Sequence, residues 1–271
     1  MDWRGDEEFG PCIMMFKGKV VAITGAAGGI GQNLCRYFAG EGASILAIDK
    51  SAALVDFAAE LAEEGVAIRH AIVDVGDPDA VAKAFAAFET TDVLVNNAGF
   101  SEHPTFAKTD PEAWHHDING NLNGAYYCAH AVIPGMKARG GGSIVAIGSV
   151  NGISGFGDPA YSAAKAGMIS LTRSLAMEYG RYGIRANIVL PGTVRTPLWE
   201  RKAGADTTTT LDRLRKWYPL GRIVEPLDVA RAVGFLASDM AAAITGTSLV
   251  VDCGLTAGNI VMTRELTLQD F

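Results

Sequence analysis

Residues 20–39, VVAITGAAGGIGQNLCRYFA, join a short apolar run to a helical pattern through a glycine-rich turn. Gly25, Gly29 and Gly31 stand there in a GxxxGxG spacing. Glycines in such a turn permit positive φ, let the backbone approach a pyrophosphate and let the following helix pack closely on its sheet. The helix offers unpaired N–H groups and the positive end of its dipole to phosphate. The stretch therefore predicts a strand, a phosphate-binding turn and a helix in that order.

Outward from this turn, apolar runs and helical patterns alternate along the chain. The runs are apolar on consecutive positions, as is typical of strands buried on both faces, and they predict strands at 19–24, 44–49, 67–75, 92–97, 143–148, 184–191 and 248–252. Helices are predicted at about 29–41, 51–64, 78–88, 111–137, 159–181 and 226–238. The alternation predicts right-handed βαβ units and an α/β fold, a single Rossmann-type doubly wound domain whose seven-stranded parallel sheet carries helices on both faces.

The expected boundaries follow from where this alternation starts and stops. A disordered N-terminal arm, one domain and a C-terminal tail are predicted at 1–15, 16–254 and 255–271. Residues 195–220 break the alternation with a polar, Thr-rich stretch that carries Trp199, Trp217 and Tyr218. Long excursions of this kind are typical of lids in compact domains, so we predict a substrate-contacting lid, with a plain surface loop as the alternative.

Composition restricts the class of protein. The 271 residues carry a net charge of −7 without a run of Lys or Arg, which argues against nucleic acid and anionic membranes as partners. No apolar stretch is long enough for a signal peptide or a membrane span. The four cysteines form no CxxC pair and the five histidines no HExxH motif, so we expect reduced thiols, no metal site and a cytoplasmic protein.

An acidic residue closes the second predicted strand. Asp49 lies 24 residues after Gly25, near the spacing at which a carboxylate meets the adenosine ribose of a dinucleotide. A carboxylate accepts hydrogen bonds from a 2′-OH and repels a 2′-phosphate, so Asp49 favours NAD over NADP. Lys50 is a contrary signal, because its ammonium could reach a 2′-phosphate. No GK[ST] follows the glycines, which argues against a P-loop nucleotide hydrolase.

A tyrosine and a lysine stand four positions apart in YSAAK, residues 161–165. On a helix, Tyr161 and Lys165 share one face, one turn apart. A free phenol has a pKa of about 10 and is a poor base at neutral pH, but a neighbouring ammonium favours the phenolate. The pair alone would also suit the exposed face of an amphipathic helix. Here a separate apolar stripe supplies the packing, which leaves the pair available for chemistry.

Six motifs in order resemble the classical short-chain dehydrogenase/reductase family over residues 16–254: TGAAGGIG (24–31), NNAG (96–99), NGNLNG (119–124), IGS (147–149), YSAAK (161–165) and PGTVRTP (191–197). The resemblance implies an NAD-dependent oxidoreductase that moves a hydride between a secondary alcohol and a nicotinamide, giving a ketone reversibly. It also implies a homotetramer. The chain departs from the family pattern where Gly148 stands before Ser149 in place of a second serine, and where Cys253 replaces a glycine in VDCG.

The resemblance assigns the catalytic roles. Tyr161 would be the general acid/base, and Lys165 would supply the ammonium and hold the nicotinamide ribose. Ser149, 12 residues before Tyr161, would donate a hydrogen bond to the substrate oxygen.

The motif NGNLNG is unusual inside a predicted helix, because each glycine there costs on the order of 1 kcal/mol relative to alanine. The family places its fourth catalytic residue at Asn121, in a helix irregularity whose backbone carbonyl holds a proton-relaying water. Asn119 and Asn123 are the alternatives for this role.

Further contacts with the dinucleotide are implied by the same resemblance. Asp74 and Val75 would meet the adenine after the third strand. Val194 and Thr196 would meet the nicotinamide carboxamide and so select the ring face that exchanges hydride. The remaining implied contacts are Gly25, Gly29, Ile30, Gly31, Asp49, Asn97, Ala98, Gly99, Tyr161, Lys165, Pro191 and Gly192.

The substrate is not fixed by these motifs. The polar lid favours a small polar alcohol, a polyol or a sugar, whereas its aromatic residues would also suit a hydrophobic ring alcohol such as a steroid. Arg195 or His103 could meet an acid. A non-catalytic NAD-binding sensor or scaffold is the alternative from another class, although it would be expected to lose Tyr161 or Lys165.

Overall fold

The computed structural model describes residues 14–88, 90–197, 199 and 207–269. Most of the predicted N-terminal arm and residues 200–206 of the predicted lid lie outside the described residues. The strands are β1 (Val20–Thr24), β2 (Ser44–Asp49), β3 (Ile68–Ile72), β4 (Val93–Asn96), β5 (Gly142–Ile147), β6 (Ile184–Pro191) and β7 (Ser248–Val251). Within the described residues they form one parallel sheet in the order β3-β2-β1-β4-β5-β6-β7, which confirms the predicted fold.

The helices alternate with the strands as expected. They are α1 (Gly29–Gly40), α2 (Ala53–Glu63), α3 (Pro78–Phe88), α4 (Pro111–Ile118), α5 (Gly124–Arg139), α6 (Pro159–Tyr179), α7 (Thr207–Leu214), α8 (Pro226–Ala237) and α9 (Ile260–Thr267). The predicted helix 111–137 is interrupted by a π-helical segment at Asn119–Asn123, which is the irregularity that the family resemblance implied at Asn121. One predicted strand extends too far. The predicted strand 67–75 is longer than β3, because β3 is an edge strand that pairs only with β2, up to the end of that strand.

Apolar side chains cover both faces of the sheet. Helices α1, α2 and α8 enclose one core, in which Leu34, Phe38 and Leu61 are fully buried. Helices α3 and α5, with part of α6, enclose the other core around Leu94 and Met136. Burying one such side chain completely stabilises the fold by about 1.5–3 kcal/mol. The two cores hold the sheet rigid, so its carboxyl edge can carry side chains at fixed positions.

A crevice forms where the chain changes sides of the sheet. After β1 the chain builds outward through β2 and β3, and it then returns through α3 to β4 on the other flank of β1. The loops that follow β1 and β4 therefore diverge at the carboxyl edge, which is the usual ligand position in open α/β sheets. This topology places the turn at Gly25 beside Asn97.

The described cysteines are unpaired. Cys35 and Cys128 are buried in the two cores, and burial raises the pKa of each thiol to about 12. They are therefore protonated core side chains at neutral pH. Among the described residues, no group of three or more His, Cys, Asp or Glu is arranged to hold a metal ion. In the same part of the chain, no helix is both long and apolar enough to cross a membrane.

Candidate active site

Two adjoining cavities open at the carboxyl edge of the sheet. The glycine-loop cavity, about 480 Å³, is bounded by the turn after β1 and by the ends of β2, β3 and β4. The tyrosine cavity, about 340 Å³, is bounded by the ends of β5 and β6 and by the start of α6. Both are lined by Ile30, Asn97, Gly99, Phe100 and Thr196, so they form one continuous cleft.

The predicted site residues converge on this cleft with one exception. Those lining the glycine-loop cavity are Gly25, Gly29, Ile30, Gly31, Asp49, Asp74, Val75, Asn97, Ala98, Gly99 and Thr196. Those lining the tyrosine cavity include Ser149, Tyr161, Lys165, Pro191, Gly192, Val194 and Thr196. Asn121 lines neither cavity and lies behind Gly99.

Three glycines of the turn are packed too closely, or bent too far, to carry a side chain. Gly25 has a φ of +65°, a left-handed conformation that favours glycine. A Cβ on Gly31 would lie 2.0 Å from the Gly25 carbonyl oxygen, and a Cβ on Gly29 would lie 2.9 Å from the Pro197 Cδ. No side chain caps α1, because its N-cap residue is Gly28. The first-turn amides of α1 are therefore available to a phosphate at this point.

Asp49 supports the glycine turn from the end of β2. Its Oδ2 accepts a hydrogen bond from the Ala27 amide at 2.9 Å, and its Oδ1 accepts one from the Ser51 amide at 2.9 Å. The carboxylate is thus held at the rim of the glycine-loop cavity, where each oxygen keeps a second lone pair for a ligand. Lys50 lines the same rim, and its Nζ lies 5.0 Å from the centre of the Phe100 ring.

Thr24 joins the turn after β1 to the loop after β4. Its buried hydroxyl accepts hydrogen bonds from the Asn97 and Ala98 amides, both at 3.0 Å. In return the Asn97 Nδ2 donates to the carbonyls of Thr24 and Gly25, at 2.9 and 3.1 Å. The sequence patterns did not single out Thr24. A polar residue that ends an otherwise apolar strand, directly before the glycines, was the signal available.

The π-helical segment accounts for the unusual composition of NGNLNG. Asn119 donates from Nδ2 to the Gly76 carbonyl at 3.1 Å, and its Oδ1 accepts from the Asn123 Nδ2 at 3.1 Å. Gly120 leaves room for Phe100, since a Cβ there would lie 2.3 Å from that ring. The glycine and the two asparagines therefore attach this segment to the loops after β3 and β4.

Asn121 is fully buried and pairs with the loop after β4. Its Oδ1 accepts from the Phe100 amide at 3.2 Å, and its Nδ2 donates to the carbonyls of Phe100 and Asp117, both at 2.9 Å. A Cβ on Gly99 would lie 2.7 Å from the Asn121 Oδ1 and 3.1 Å from the Lys165 Nζ. Of the three asparagines, Asn121 is therefore the one that the structure brings towards Lys165.

Lys165 carries a buried ammonium beneath the tyrosine. Its side chain is only about 2% exposed, and its Nζ donates to the Ile147 carbonyl at 2.8 Å. The same Nζ lies 5.4 Å from the centre of the Tyr161 ring. Burial disfavours the charged form and lowers the pKa of Lys165 from 10.5 to about 8. An ammonium with this pKa can exchange its proton near neutral pH.

The side chains of Tyr161 and Ser149 are hydrogen-bonded in the tyrosine cavity. Burial raises the pKa of Tyr161 above its usual value, a hydrogen bond with the Ser149 side chain lowers it, and the negative charge of Asp158 raises it. The Ser149 hydroxyl also accepts from the Asn151 amide at 3.1 Å and donates to the Asn151 Oδ1 at 3.3 Å. The three predicted groups therefore stand together, with the serine held in place by its own turn.

Comparison with known proteins fits this geometry. Residues 25–256 match the family model described as enoyl-(acyl carrier protein) reductase. A crystal structure of an oxidoreductase of the short-chain dehydrogenase/reductase family from Burkholderia thailandensis superposes with a TM-score of 0.88 and is 49% identical, covering 93% of this chain and 98% of that one.

The chain belongs to the short-chain dehydrogenase/reductase family. An uncharacterized oxidoreductase of Schizosaccharomyces pombe is 43% identical over 258 residues, which are 93% of this chain and 96% of that protein. A gluconate 5-dehydrogenase from Burkholderia cenocepacia, solved in complex with NADP and tartrate, has a TM-score of 0.85 and 34% identity, covering 91% of this chain and 98% of that one. The protein is therefore an oxidoreductase of a family that binds NAD(P).

In this short-chain dehydrogenase/reductase, the described part of the lid packs on the C-terminal segment. Trp199 and Leu255 line the tyrosine cavity together. The other two lid aromatics do not line it: Tyr218 is buried and its hydroxyl accepts from the Thr193 amide at 3.1 Å, whereas the Trp217 ring lies beside Lys216. The sequence patterns did not single out Leu255, which follows the predicted domain boundary at 254.

The two basic residues considered for an acidic substrate are engaged elsewhere. The Arg195 Nε donates to the Glu225 Oε1 at 3.0 Å. The His103 Nδ1 lies 3.6 Å from the buried Asp117 Oδ2. Neither residue lines the tyrosine cavity. Among the described residues that do, Lys165 is the single cation, and Asp158, which the sequence patterns did not single out, is the single carboxylate.

Proposed function

We propose that this protein transfers a hydride between a secondary alcohol and NAD, giving the ketone reversibly. The observation that carries the proposal is the meeting of Ser149, Tyr161 and Lys165 in a cavity continuous with the glycine-loop cavity. An alcohol in the tyrosine cavity would thus lie beside a dinucleotide in the neighbouring one.

The residues around the glycine-loop cavity fit a dinucleotide. The helix α1 starts without a side-chain cap, and the closely packed glycines let a pyrophosphate approach its first turn. Asp49 stands at the rim, where its carboxylate would accept from the ribose hydroxyls. When bound, the nicotinamide supplies the hydride chemistry. The protein supplies position and proton transfer.

NAD rather than NADP is the proposed coenzyme. The Asp49 carboxylate would repel a 2′-phosphate, and the turn residue Gly28 offers no cation to bind one. Lys50 at the same rim acts in the opposite direction, and the related gluconate 5-dehydrogenase was solved with NADP. Coenzyme preference is therefore a balance between two neighbouring charges.

The proposed mechanism starts from the ionisation of the tyrosine. Without a ligand, burial raises the pKa of Tyr161, so the phenol favours its neutral form, whereas Lys165, with a pKa lowered to about 8, remains mostly an ammonium at neutral pH. A positive charge beside the phenol reverses this preference for Tyr161, whose phenolate then accepts the proton of the substrate hydroxyl. Ser149 donates a hydrogen bond to the same substrate oxygen. In the reducing direction Tyr161 returns the proton to the carbonyl oxygen.

Lys165 and Asn121 are proposed to pass the proton onward. The Lys165 Nζ and the Asn121 Oδ1 both lie close to the position that a Cβ on Gly99 would occupy. A water held by the backbone carbonyl of Asn121, within the π-helical segment, would link the ammonium to solvent. The Asn121 side chain positions this segment through its bonds to Phe100.

The proposed substrate class is a small polar alcohol, polyol or sugar. The tyrosine cavity has polar walls at Ser149, Asn151, Asp158 and Thr193. The related gluconate 5-dehydrogenase supports a polyhydroxylated substrate. Phe156, Trp199 and Leu255 form an apolar wall of the same cavity, so a hydrophobic ring alcohol is the alternative substrate.

The experiment follows absorbance at 340 nm with NAD and, separately, with NADP across polyols, sugars, hydroxy acids and hydroxysteroids. We expect NADH formation with one class and its loss in Tyr161→Phe. Activity with NADP only would contradict the proposed role of Asp49. Tight NAD binding by calorimetry without turnover of any alcohol or ketone would favour a non-catalytic NAD-binding sensor. Reduction of an enoyl thioester, with no activity on any alcohol or ketone, would contradict the proposed alcohol substrate.

A homotetramer in the cytoplasm is proposed as the working form. Tyr126 on α5 and Met177 on α6 are exposed apolar side chains, at 48% and 88%, as an assembly through these helices would require. Sedimentation velocity tests the assembly, with Met177→Glu expected to shift it towards smaller species. A wild-type monomer would contradict it.

A further inference from the structure

Three of the described helices begin at the proline of an Asp-Pro pair. Asp77, Asp110 and Asp158 each precede a proline that opens α3, α4 and α6. Aspartate before a first-turn proline is a favoured N-cap arrangement. The carboxylates of Asp77 and Asp110 do cap their helices, accepting first-turn amides at 2.8 to 3.1 Å. Two of the three Asp-Pro pairs therefore form the favoured N-cap arrangement.

Asp158 does not cap its helix. Its backbone is left-handed, with φ 48° and ψ 67°, although chirality and the following proline both disfavour that conformation. The backbone is held there, because its amide donates to the Pro104 carbonyl at 3.1 Å and its carbonyl accepts from the Ser162 amide at 2.8 Å. Within the described residues, its carboxylate makes no hydrogen bond or ion pair. A strained residue at a cleft is a reason to look for a function.

The Asp158 carboxylate, which does not cap α6, is part of the wall of the tyrosine cavity. Asp158 lines that cavity, less than one helical turn before Tyr161. Its negative charge raises the pKa of Tyr161, so the two side chains are close enough to interact. The cation of the cavity, Lys165, is occupied by the Ile147 carbonyl, and Arg195 and His103 face Glu225 and Asp117 instead. Of the two charged side chains that line the described part of this cavity, Asp158 is therefore the one that is not hydrogen-bonded to the described protein.

We propose that Asp158 determines substrate specificity: its carboxylate accepts a hydrogen bond from a hydroxyl next to the reacting carbinol. The site thereby selects neutral polyols and excludes hydroxy acids, whose carboxylate would face a like charge. This inference rests on the proposed alcohol dehydrogenase function and specifies its substrate class. An ammonium next to the carbinol has the same donor chemistry, so the test includes an amino alcohol.

The experiment measures kcat/KM on two matched sets of substrates. Sorbitol and gluconate differ only in a terminal CH2OH or carboxylate. The second set, 2,3-butanediol, 2-butanol and 3-amino-2-butanol, differs in a hydroxyl, a hydrogen or an ammonium beside the carbinol. In the wild type we expect sorbitol to exceed gluconate, and the diol to exceed 2-butanol, each on the order of tenfold or more. A preference for the amino alcohol over the diol would replace the polyol by a cationic substrate and overturn the proposal.

Two substitutions of Asp158 distinguish the effect of its negative charge from the effect of its side chain as a whole. Asp158→Asn keeps an acceptor in a residue type that tolerates left-handed backbone, and it should reduce the sorbitol-over-gluconate ratio on the order of tenfold, mainly through KM. Asp158→Gly removes the side chain and should also abolish the preference for the diol over 2-butanol. Asp110→Asn, at a capping Asp-Pro pair outside the cleft, is the matched control and should change neither ratio.

Thermal unfolding distinguishes specificity from a structural role. Asp158→Gly relieves the left-handed strain, so its unfolding midpoint should be no lower than that of the wild type. Unchanged ratios in both Asp158 variants, or a wild-type preference for gluconate, would overturn the proposal while leaving the dehydrogenase function intact. Failure to oxidise any alcohol with either coenzyme would instead overturn the proposed function, and this inference with it.

Discussion

The two halves of the cleft use their polar side chains differently. In the glycine-loop half, Thr24, Asp49 and Asn97 are hydrogen-bonded to backbone groups of the neighbouring loops. In the tyrosine half, Tyr161 and Asp158 line the cavity, and the Asp158 carboxylate makes no hydrogen bond or ion pair within the described residues. The polar side chains of the first half thus hold the backbone of the loops in place. Those of the second half remain available to a substrate, at a cost in backbone strain and desolvation. Substitutions in the glycine-loop half should therefore impair folding and coenzyme binding, whereas substitutions in the tyrosine half should impair catalysis.

The largest expected effect lies in the tyrosine half. Tyr161→Phe removes the hydroxyl but keeps the ring, so coenzyme affinity and fold should persist while kcat falls by about 10³-fold, as loss of a general acid/base implies. Stopped-flow or steady-state rates at 340 nm, together with calorimetric titration of NAD, measure the two quantities. Tyr126→Phe, on the exposed side of α5, is the control and should keep full activity. A Tyr161→Phe enzyme that retains more than a tenth of the rate would exclude this residue as the acid/base.

The glycine-loop half should fail in folding and binding instead. Gly31→Ala would place its Cβ 2.0 Å from the Gly25 carbonyl oxygen, which forces the turn to move. We expect the free energy of unfolding to fall by about 3 kcal/mol and the affinity for NAD to weaken on the order of 100-fold. Urea unfolding and calorimetry measure both effects.

The same turn contains its own control. A Cβ on Gly28 would meet the Gly25 carbonyl oxygen at 3.4 Å, an ordinary contact, and the φ of Gly28 is −79°. Gly28→Ala should therefore change the free energy of unfolding by less than about 1 kcal/mol. Equal destabilisation by both substitutions would show that the close packing at Gly31 is not what the turn requires.

A smaller effect should appear in the pH dependence of stability. Lys165 has a pKa of about 8 in the folded protein and a usual value of 10.5 when unfolded. Between these values the unfolded chain holds a proton that the folded protein has released, so the contribution of Lys165 to stability rises with pH. Between pH 7.5 and 9.5 the rise is about 2 kcal/mol, at 1.4 kcal/mol per pKa unit.

Lys165→Met should abolish this increment, which is measured as the difference between two pH series of urea unfolding. The protonated core thiols Cys35 and Cys128 act in the opposite direction, but equally in both proteins, so the difference isolates the lysine. Lys83→Met removes an exposed ammonium from α3 as a control. Parallel curves for wild type and Lys165→Met would mean that the ammonium is not desolvated.

The sequence predicts features that depend on local patterns better than features that depend on contacts between distant segments. Glycine spacing, strand order and the YSAAK pair are local patterns, and the structure brings their residues to one cleft as expected. The break in helix 111–137 was indicated by the glycines and asparagines of NGNLNG, but its contact with Phe100 was not, because Phe100 packs against Gly120 from a segment far apart in the chain. Asp158 could not be distinguished from Asp77 and Asp110, because its conformation is held by the Pro104 carbonyl, which no local pattern contains.

The smallest expected effect returns to the glycine-loop half and to the two charges at its rim. Asp49→Asn keeps a side-chain oxygen for the Ala27 amide but removes the charge that would repel a 2′-phosphate. The ratio of kcat/KM for NAD over NADP should therefore fall by about tenfold, mainly through better use of NADP. Lys50→Ala should raise the same ratio, because it removes the cation available to that phosphate. If neither variant moves the ratio, the rim charges do not select the coenzyme, and the backbone of the turn must do so. If only Lys50→Ala changes the NAD-over-NADP ratio, Lys50 binds the 2′-phosphate of NADP, and the role of Asp49 is limited to supporting the turn.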